Sequence, residues 1–335
     1  MDPLTHALTS YALVRAALPK PARGTTLLVV VAGLAPDLDM LSEVAGRSAG
    51  LRWGGAAMHS VVGATATAVL LAFCFRAWQR QRSGDGGSYV SALGLAALGI
   101  AAHVLLDLTN SNGLALLWPF RTGRTAWNFT LLLDPILLTV LLLTLLLPGL
   151  FRMVSEEIGA RTGESAGRGW AIVALTFLSL FCAARFFLHA RAETLLGASR
   201  YHDRAPLHCG AFPDSANPFH WQGVVETDAS IEEVEVLVGP GADFNPDRSR
   251  TYYKPEASLA LEAAREAPDA ARFLALARFP SASMERTADG FRVDFRDIGF
   301  STLRNLRGYY FAEVELDAQA RVLREETGYA RERLR

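Results

Sequence analysis

Charge is missing from long parts of this chain: residues 53–75 and 88–106 contain no Asp, Glu, Lys or Arg. Residues 125–151 hold only Asp134 of these types, and residues 169–188 hold only Arg185. A helix needs about 20 predominantly apolar residues to cross a hydrocarbon core of about 30 Å, so each stretch qualifies as a span. Cysteine is scarce too, with three in 335 residues. Cys74 and Cys182 fall in uncharged stretches and Cys209 stands apart, which excludes a disulfide framework. No basic tract interleaved with aromatics occurs, so direct nucleic-acid binding is not expected. A basic segment ahead of the first apolar run is also lacking. That run starts with Asp2 and carries His6, unlike a cleaved signal peptide.

What is present divides into two parts. Residues 1–190 carry the uncharged stretches, joined by 24–43, which is apolar as far as Pro36, and by the shorter 3–18, which includes Arg15. The expected fold there is an all-α polytopic membrane bundle of about five to six helices. Residues 191–220 read as a linker containing His202, His208 and His220. Residues 221–335 are dense in Arg, Glu and Asp and read as a small α+β soluble domain. Within it, Phe291-Arg292-Val293-Asp294-Phe295 alternates as a strand does, while 255–279 has helical periodicity. This second part contains no nucleotide-binding loop, no nucleophile elbow and no paired-cysteine metal motif.

Lys and Arg in the short loops predict the orientation. The loops at 19–24, 76–87 and 152–168 hold Lys20, Arg23, Arg76, Arg80, Arg82, Arg152, Arg161 and Arg168, against Arg47, Arg52, Arg121 and Arg124 on the other side. The richer side is expected to face the cytoplasm of a cell inner (plasma) membrane, with the C-terminal domain extracytoplasmic. A C-terminal alkaline phosphatase fusion should therefore be active. An inactive fusion, with a cytoplasmic reporter working at the same point, would reverse the topology.

On this topology seven ionisable residues meet at one membrane face. His6 lies near the start of the first segment, Asp37 and Asp39 near the end of the second, and His59 near the start of the third. His103 and Asp107 close the fourth, and Asp134 opens the fifth. Ionisable groups bordering spans are costly and usually pair, bind ions or line a path. His103 and Asp107 are four apart, so on a helix both can address one ion. Imidazole nitrogen with carboxylate oxygen suits zinc, manganese or iron. Pro36 is expected to interrupt the helix and free the Pro-Asp-Leu-Asp turn for a ligand. Asp134, just ahead of Pro135, also fits an ordinary helix start.

Leu4-Thr5-His6, Pro36-Asp37-Leu38-Asp39, His59-Ser60, His103-Val104-Leu105-Leu106-Asp107 and Leu116-Leu117-Trp118-Pro119-Phe120 occur in that order over about residues 1–150. The ordered set resembles the YdjM/DUF457 family of inner-membrane, metal-dependent-hydrolase-like proteins. A longer subgroup is similar to this chain in having a soluble extension, which here opens with Asn217-Pro218-Phe219-His220-Trp221. The resemblance implies a helical membrane protein with a metal-dependent hydrolytic site. His6, Asp37, Asp39, His59, His103 and Asp107 are then the expected metal ligands, with Asp39 and Asp107 as catalytic carboxylates. Arg121 and Arg124 are expected to hold an anionic group of a membrane lipid or lipid-linked substrate. One departure stands out. Family members often carry His-Arg-Gly-x-Thr-His-Ser, and placing its second His on His59 puts Gly54 where the first His belongs and Met58 at the Thr. Asp2, Asp134 or the C-terminal domain are the available substitutes. The competing expectation is a non-catalytic, metal-stabilised receptor, regulator or transporter. A transporter should show internal repeats and polar groups at mid-membrane, and neither is clear in the sequence.

Overall fold

A computed structural model describes residues 1–40, 57–83, 87–121, 123–157, 166–213, 217–239, 241–301 and 308–331. It divides into two compact units, Met1–Ala184 and Arg185–Arg335.

The first unit is helical. Helix α1 (Pro3–Ala17) begins where the Asp2 carboxylate accepts the Thr5 amide and Pro3 supplies a preset φ at the first helical position. Helix α2 (Thr25–Leu34) gives way to a 3-10 turn, Ala35–Met40. This is the interruption that Pro36 demands, since proline has no amide proton to give a helix. Helix α3 (Val61–Ser83) starts at Ser60, whose hydroxyl accepts the Gly63 amide. Helix α4 (Tyr89–Thr109) is capped by Ser88, helix α5 spans Pro135–Glu157, and helix α6 spans Ala166–Ala198.

Three of the described helices are long and apolar enough to cross a membrane: Val61–Arg82, Tyr89–Thr109 and Gly167–Ala198. The other helices of this unit offer less apolar length. Helix α1 has 15 residues, α2 has 10, and the described apolar stretch of α5 is Pro135–Leu150. The expected count of five to six spans is not confirmed: among the described residues three helices meet the length and composition criterion, 24–43 breaks at Pro36 and 3–18 is short. One apolar cluster joins α1, α4, α5 and α6 through Ala12, Leu106, Leu137, Leu141 and Ala171. A second joins α2, α3 and α4 through Leu28, Ala32, Ala68, Ala72, Ala96 and Ile100.

The α2–α4 contact is close because both helices present glycine. A Cβ added at Gly99 would stand 2.5 Å from the Val29 carbonyl oxygen and 3.1 Å from the Gly33 amide nitrogen, both on α2, while one added at Gly33 would strike the Ser10 side chain on α1. Small residues let membrane helices approach backbone to backbone.

The second unit is β-rich, with two antiparallel sheets. One contains β1 (His208–Pro213), β2 (His220–Glu226), β3 (Ser230–Leu237) and β4 (Asp243–Phe244) in that order, with β5 (Arg250–Tyr253) also paired to β3. The other runs β6 (Pro280–Arg286), β7 (Gly290–Asp297), β8 (Gly308–Asp317) and β9 (Val322–Arg331). The alternation read around Val293 is that of β7: Val293 and Phe295 point into the core opposite Val314 and Ala312. Helices α7 (Leu259–Glu266) and α8 (Pro268–Leu276) cover that face through Leu261, Ala264 and Phe273. Helix α9 (Ile298–Ser301) is a single turn after β7. The segment expected as a linker, 191–220, holds the last turns of α6 and strand β1. Local polarity concealed them: β1 owes its place to its pairing with β2, which the sequence of β1 alone does not display.

Two buried carboxylates organise this unit. Asp297 accepts the amides of Arg278, Phe279 and Gly299, while burial pushes its carboxyl above the usual carboxylate range. Glu232, fully buried, accepts the hydroxyls of Ser230, Ser249 and Thr251. These hydrogen bonds offset the cost of burying charge.

Candidate metal centre

Four segments bring their polar residues to one place. His6 sits one turn into α1, Asp37 in the 3-10 turn, His59 immediately ahead of the Ser60 cap of α3, and His103 and Asp107 on the last two turns of α4. His6, His59, His103 and Asp107 are all less than a tenth exposed, and Asp37 is half-buried. One ligand atom each from His6, Asp37, His103 and Asp107 lies within 4.8 Å of the others.

The distances between these atoms are informative. His103 Nε2 is 3.1 Å from His59 Nε2, 3.2 Å from Asp107 Oδ2 and 3.7 Å from Asp37 Oδ1. His59 Nε2 is 3.4 Å from Asp107 Oδ2, and His6 Nε2 is 3.2 Å from Asp107 Oδ1. Zinc bonds to nitrogen and oxygen are about 2.0–2.2 Å long, so ligand atoms at tetrahedral corners stand roughly 3.3–3.6 Å apart. The observed spacings bracket that value. The His6 and His103 rings are stacked, centroids 3.8 Å apart, so the two imidazoles are parallel neighbours facing the same carboxylates.

The protonation of His103 follows from its partner. Its Nδ1 lies 2.7 Å from the Gly33 carbonyl oxygen, which can only accept, so Nδ1 carries the proton and Nε2 presents a lone pair to the cluster. That carbonyl is one of those left without an intrahelical partner at the end of α2. Orientation of a histidine ligand through its second nitrogen is the usual arrangement in metal sites. His6 Nδ1 and Asp37 Oδ2 are buried without a hydrogen-bond partner in the protein. Buried polar atoms are rarely left so, and the donor set of imidazoles and carboxylates suits a divalent cation. The Met1 ammonium also pairs with Asp107 Oδ1. On this geometry the residues fit a metal.

The remaining sequence-predicted residues lie differently. Asp39 belongs to the 3-10 turn, but its side chain is outside the described residues, as is Gly54. Asp134 is buried and accepts the Ile136 and Leu137 amides, the role of a helix cap for α5. Arg121 and Arg124 are exposed in the loop between α4 and α5, where Arg124 donates to the Asn112 carbonyl. That loop folds back on the end of α4: the Trp127 amide donates to the Leu108 carbonyl, and the Phe129 and Thr130 amides donate to that of Thr109.

Sequence reasoning missed Asn110. It is buried, its Nδ2 donates to Asp107 Oδ1 at 3.3 Å, and its Oδ1 accepts the Asn112 amide at 2.8 Å, so the loop fixes it and it fixes Asp107. Its place three residues after Asp107 was the available signal. Loss of such an outer partner typically costs about 10–100-fold in metal affinity. Asn110→Ala should show a loss of that order in competition with a chelating dye. An unchanged affinity would make Asn110 a loop residue only.

The profile of the YdjM inner membrane protein family matches residues 1–192, which contain all the residues of this cluster. No curated protein and no solved structure matches the chain.

Proposed function

Since the chain belongs to the YdjM inner membrane protein family, we propose that it is a membrane-bound, metal-dependent hydrolase acting on an ester or phosphoester of a lipid-like substrate. The observation that carries this reading is the convergence of His6, Asp37, His103 and Asp107, whose ligand atoms lie within 4.8 Å of one another, with His59 Nε2 beside His103 and Asp107, next to helices long and apolar enough to span a membrane. A purely structural polar cluster would be expected to satisfy its own atoms, whereas His6 Nδ1 and Asp37 Oδ2 are left over.

In this reading His6, Asp37, His59, His103 and Asp107 hold the cation, with Asp39 a further ligand or general base. Zinc, manganese and iron all suit the donor set. A divalent cation held by these residues would supply Lewis acidity to a substrate oxygen and would ease the ionisation of water toward neutral pH. The chain does the rest. The Gly33 carbonyl holds His103 in one tautomer, Asn110 holds Asp107, and Asp107 can take a proton near the reacting oxygen. Arg121 and Arg124 would neutralise an anionic headgroup. The helices of the first unit, Met1–Ala184, would lie in the bilayer, with the cluster at the non-cytoplasmic face, where ester groups reside.

The test uses full-length protein loaded with zinc or manganese and vesicles of phosphatidylcholine with phosphatidylglycerol, following release of fatty acid or phosphorylated headgroup. Activity should depend on metal and fall by at least about 100-fold in Asp107→Asn, the scale on which one group stabilising charge contributes. Equal rates in the two proteins would remove the residue assignment. Metal bound without any turnover would favour a non-catalytic, metal-stabilised role.

A further inference from the structure

Between α3 and α4 lies an apolar recess of about 400 Å³. Val61, Ala64 and Ala68 line it from α3, Leu93 and Ala97 from α4, and His59, just ahead of α3, also borders it. Apart from His59 and Thr65 the lining is apolar. The alanines create the space, since Ala64 and Ala68 on α3, and Ala97 and Ala101 on α4, each lie one turn apart and put methyl groups where larger side chains would meet. The volume falls within the roughly 300–1,000 Å³ of ligand pockets.

Two observations define the occupant. Both walls belong to helices long and apolar enough to span a membrane, so the medium at the mouth is hydrocarbon. The recess is open along its side, and at bilayer depth an acyl chain is the molecule available to lie in it. Toward the start of α3, in contrast, the lining includes an imidazole of the cluster: His59 Nε2 is 3.1 Å from His103 Nε2 and 3.4 Å from Asp107 Oδ2. The recess therefore has the polarity of an amphiphile. From Val61 to Val69 it follows α3 for eight residues, about 12 Å at 1.5 Å per residue.

We propose that this recess seats one acyl chain of a lipid and so delivers the ester or phosphoester at its polar end to the His/Asp cluster. This rests on the hydrolase reading for the use made of the bound lipid, though not for the chain site itself. Exchange of a tail between bulk lipid and the recess gains little by hydrophobic transfer, because both are apolar. Its effect is orientation: a chain lying along the groove fixes which bond reaches the cluster. Ala64, Ala68, Leu93 and Ala97 then set the chain length accepted.

The experiment uses full-length protein in phosphatidylcholine nanodiscs doped with phosphatidylcholine that carries a diazirine either at the chain terminus or beside the carbonyl. On irradiation the terminal probe should label the segment around Ala68, Val69 and Leu93, and the carbonyl-proximal probe that around Val61 and Leu116. Ala64→Phe combined with Ala97→Phe should abolish this positional labelling and leave labelling near the exposed Trp170 and Ile172 unchanged. If that variant does not fold, Leu93→Ala serves instead and should shift competition toward longer-chain phosphatidylcholines. Labels spread evenly over all lipid-facing helices, or unmoved by the substitutions, would overturn the proposal. Metal content is measured on the same samples. Metal lost with positional labelling kept would count against the hydrolase reading alone, and metal kept with unpositioned labelling against the chain site alone.

Discussion

Changing His103 to Ala should leave the purified protein with less than about a tenth of the wild-type divalent metal, since loss of a direct ligand should cost at least the 10–100-fold of an outer partner. His103 meets each of the other four members of the cluster. Its Nε2 faces His59, Asp107 and Asp37, its ring stacks on His6, and its Nδ1 is tied to the Gly33 carbonyl. The substitution therefore removes one ligand and also the ring that keeps His6 parallel to it. His202→Ala is the matched control: His202 is exposed in the second unit and is not part of the cluster. Element analysis of both proteins decides the matter. Stoichiometric metal in His103→Ala, or none in the wild type, would show that the cluster is a hydrogen-bonded core and not a metal centre.

Two glycine substitutions on the same helix should have opposite effects. Alanine is preferred to glycine within a helix by about 1 kcal/mol, so on propensity alone both Gly94→Ala and Gly99→Ala should stabilise α4. At Gly94 an added Cβ meets nothing within 4 Å, and the expected result is a neutral or slightly raised Tm. At Gly99 it would lie 2.5 Å from the Val29 carbonyl oxygen, 3.0 Å from the Ala32 Cβ and 3.1 Å from the Gly33 amide nitrogen, all on α2. Two of these atoms are backbone and cannot step aside, so the helices must separate, at an overpacking cost of about 1–3 kcal/mol. That movement also lengthens the bond between the Gly33 carbonyl and His103 Nδ1, one turn further along α4. Gly99→Ala should therefore lower both Tm and metal affinity, whereas Gly94→Ala should leave the metal untouched. Thermal unfolding in detergent and dye competition measure the two effects. A Gly99→Ala protein with wild-type metal affinity would uncouple the helix contact from the site.

Much of this was legible in the chain. The uncharged stretches announce α3, α4 and α6, because bilayer thickness fixes a minimum apolar length that composition displays directly. Pro36 announces the end of α2, because a missing amide proton is a local fact. The alternation around Val293 announces β7. The elements within 191–220 were hidden for the converse reason: β1 depends on its partner strand, whereas α6 simply continues to Ala198 past polar residues that a span-length criterion excludes. Asp134 went the way of the ordinary helix start, with its carboxylate on the Ile136 and Leu137 amides.

The polar cluster shows where the boundary falls. By itself the sequence nominated seven ionisable residues, because such groups at the ends of apolar segments are expensive and alternating helix direction predicts their convergence. Of these the structure brings His6, Asp37, His59, His103 and Asp107 together and makes Asp134 the cap of α5. The sequence could not determine their distances, the tautomer of His103 or the part played by Asn110. These depend on how closely α2 approaches α4 and on how the loop after Thr109 folds back, as Gly33, Gly99 and the Thr109 carbonyl record. Helix ends follow from local chemistry and bilayer thickness, but a separation near 3 Å between side chains up to 101 positions apart is set only when the backbones have packed.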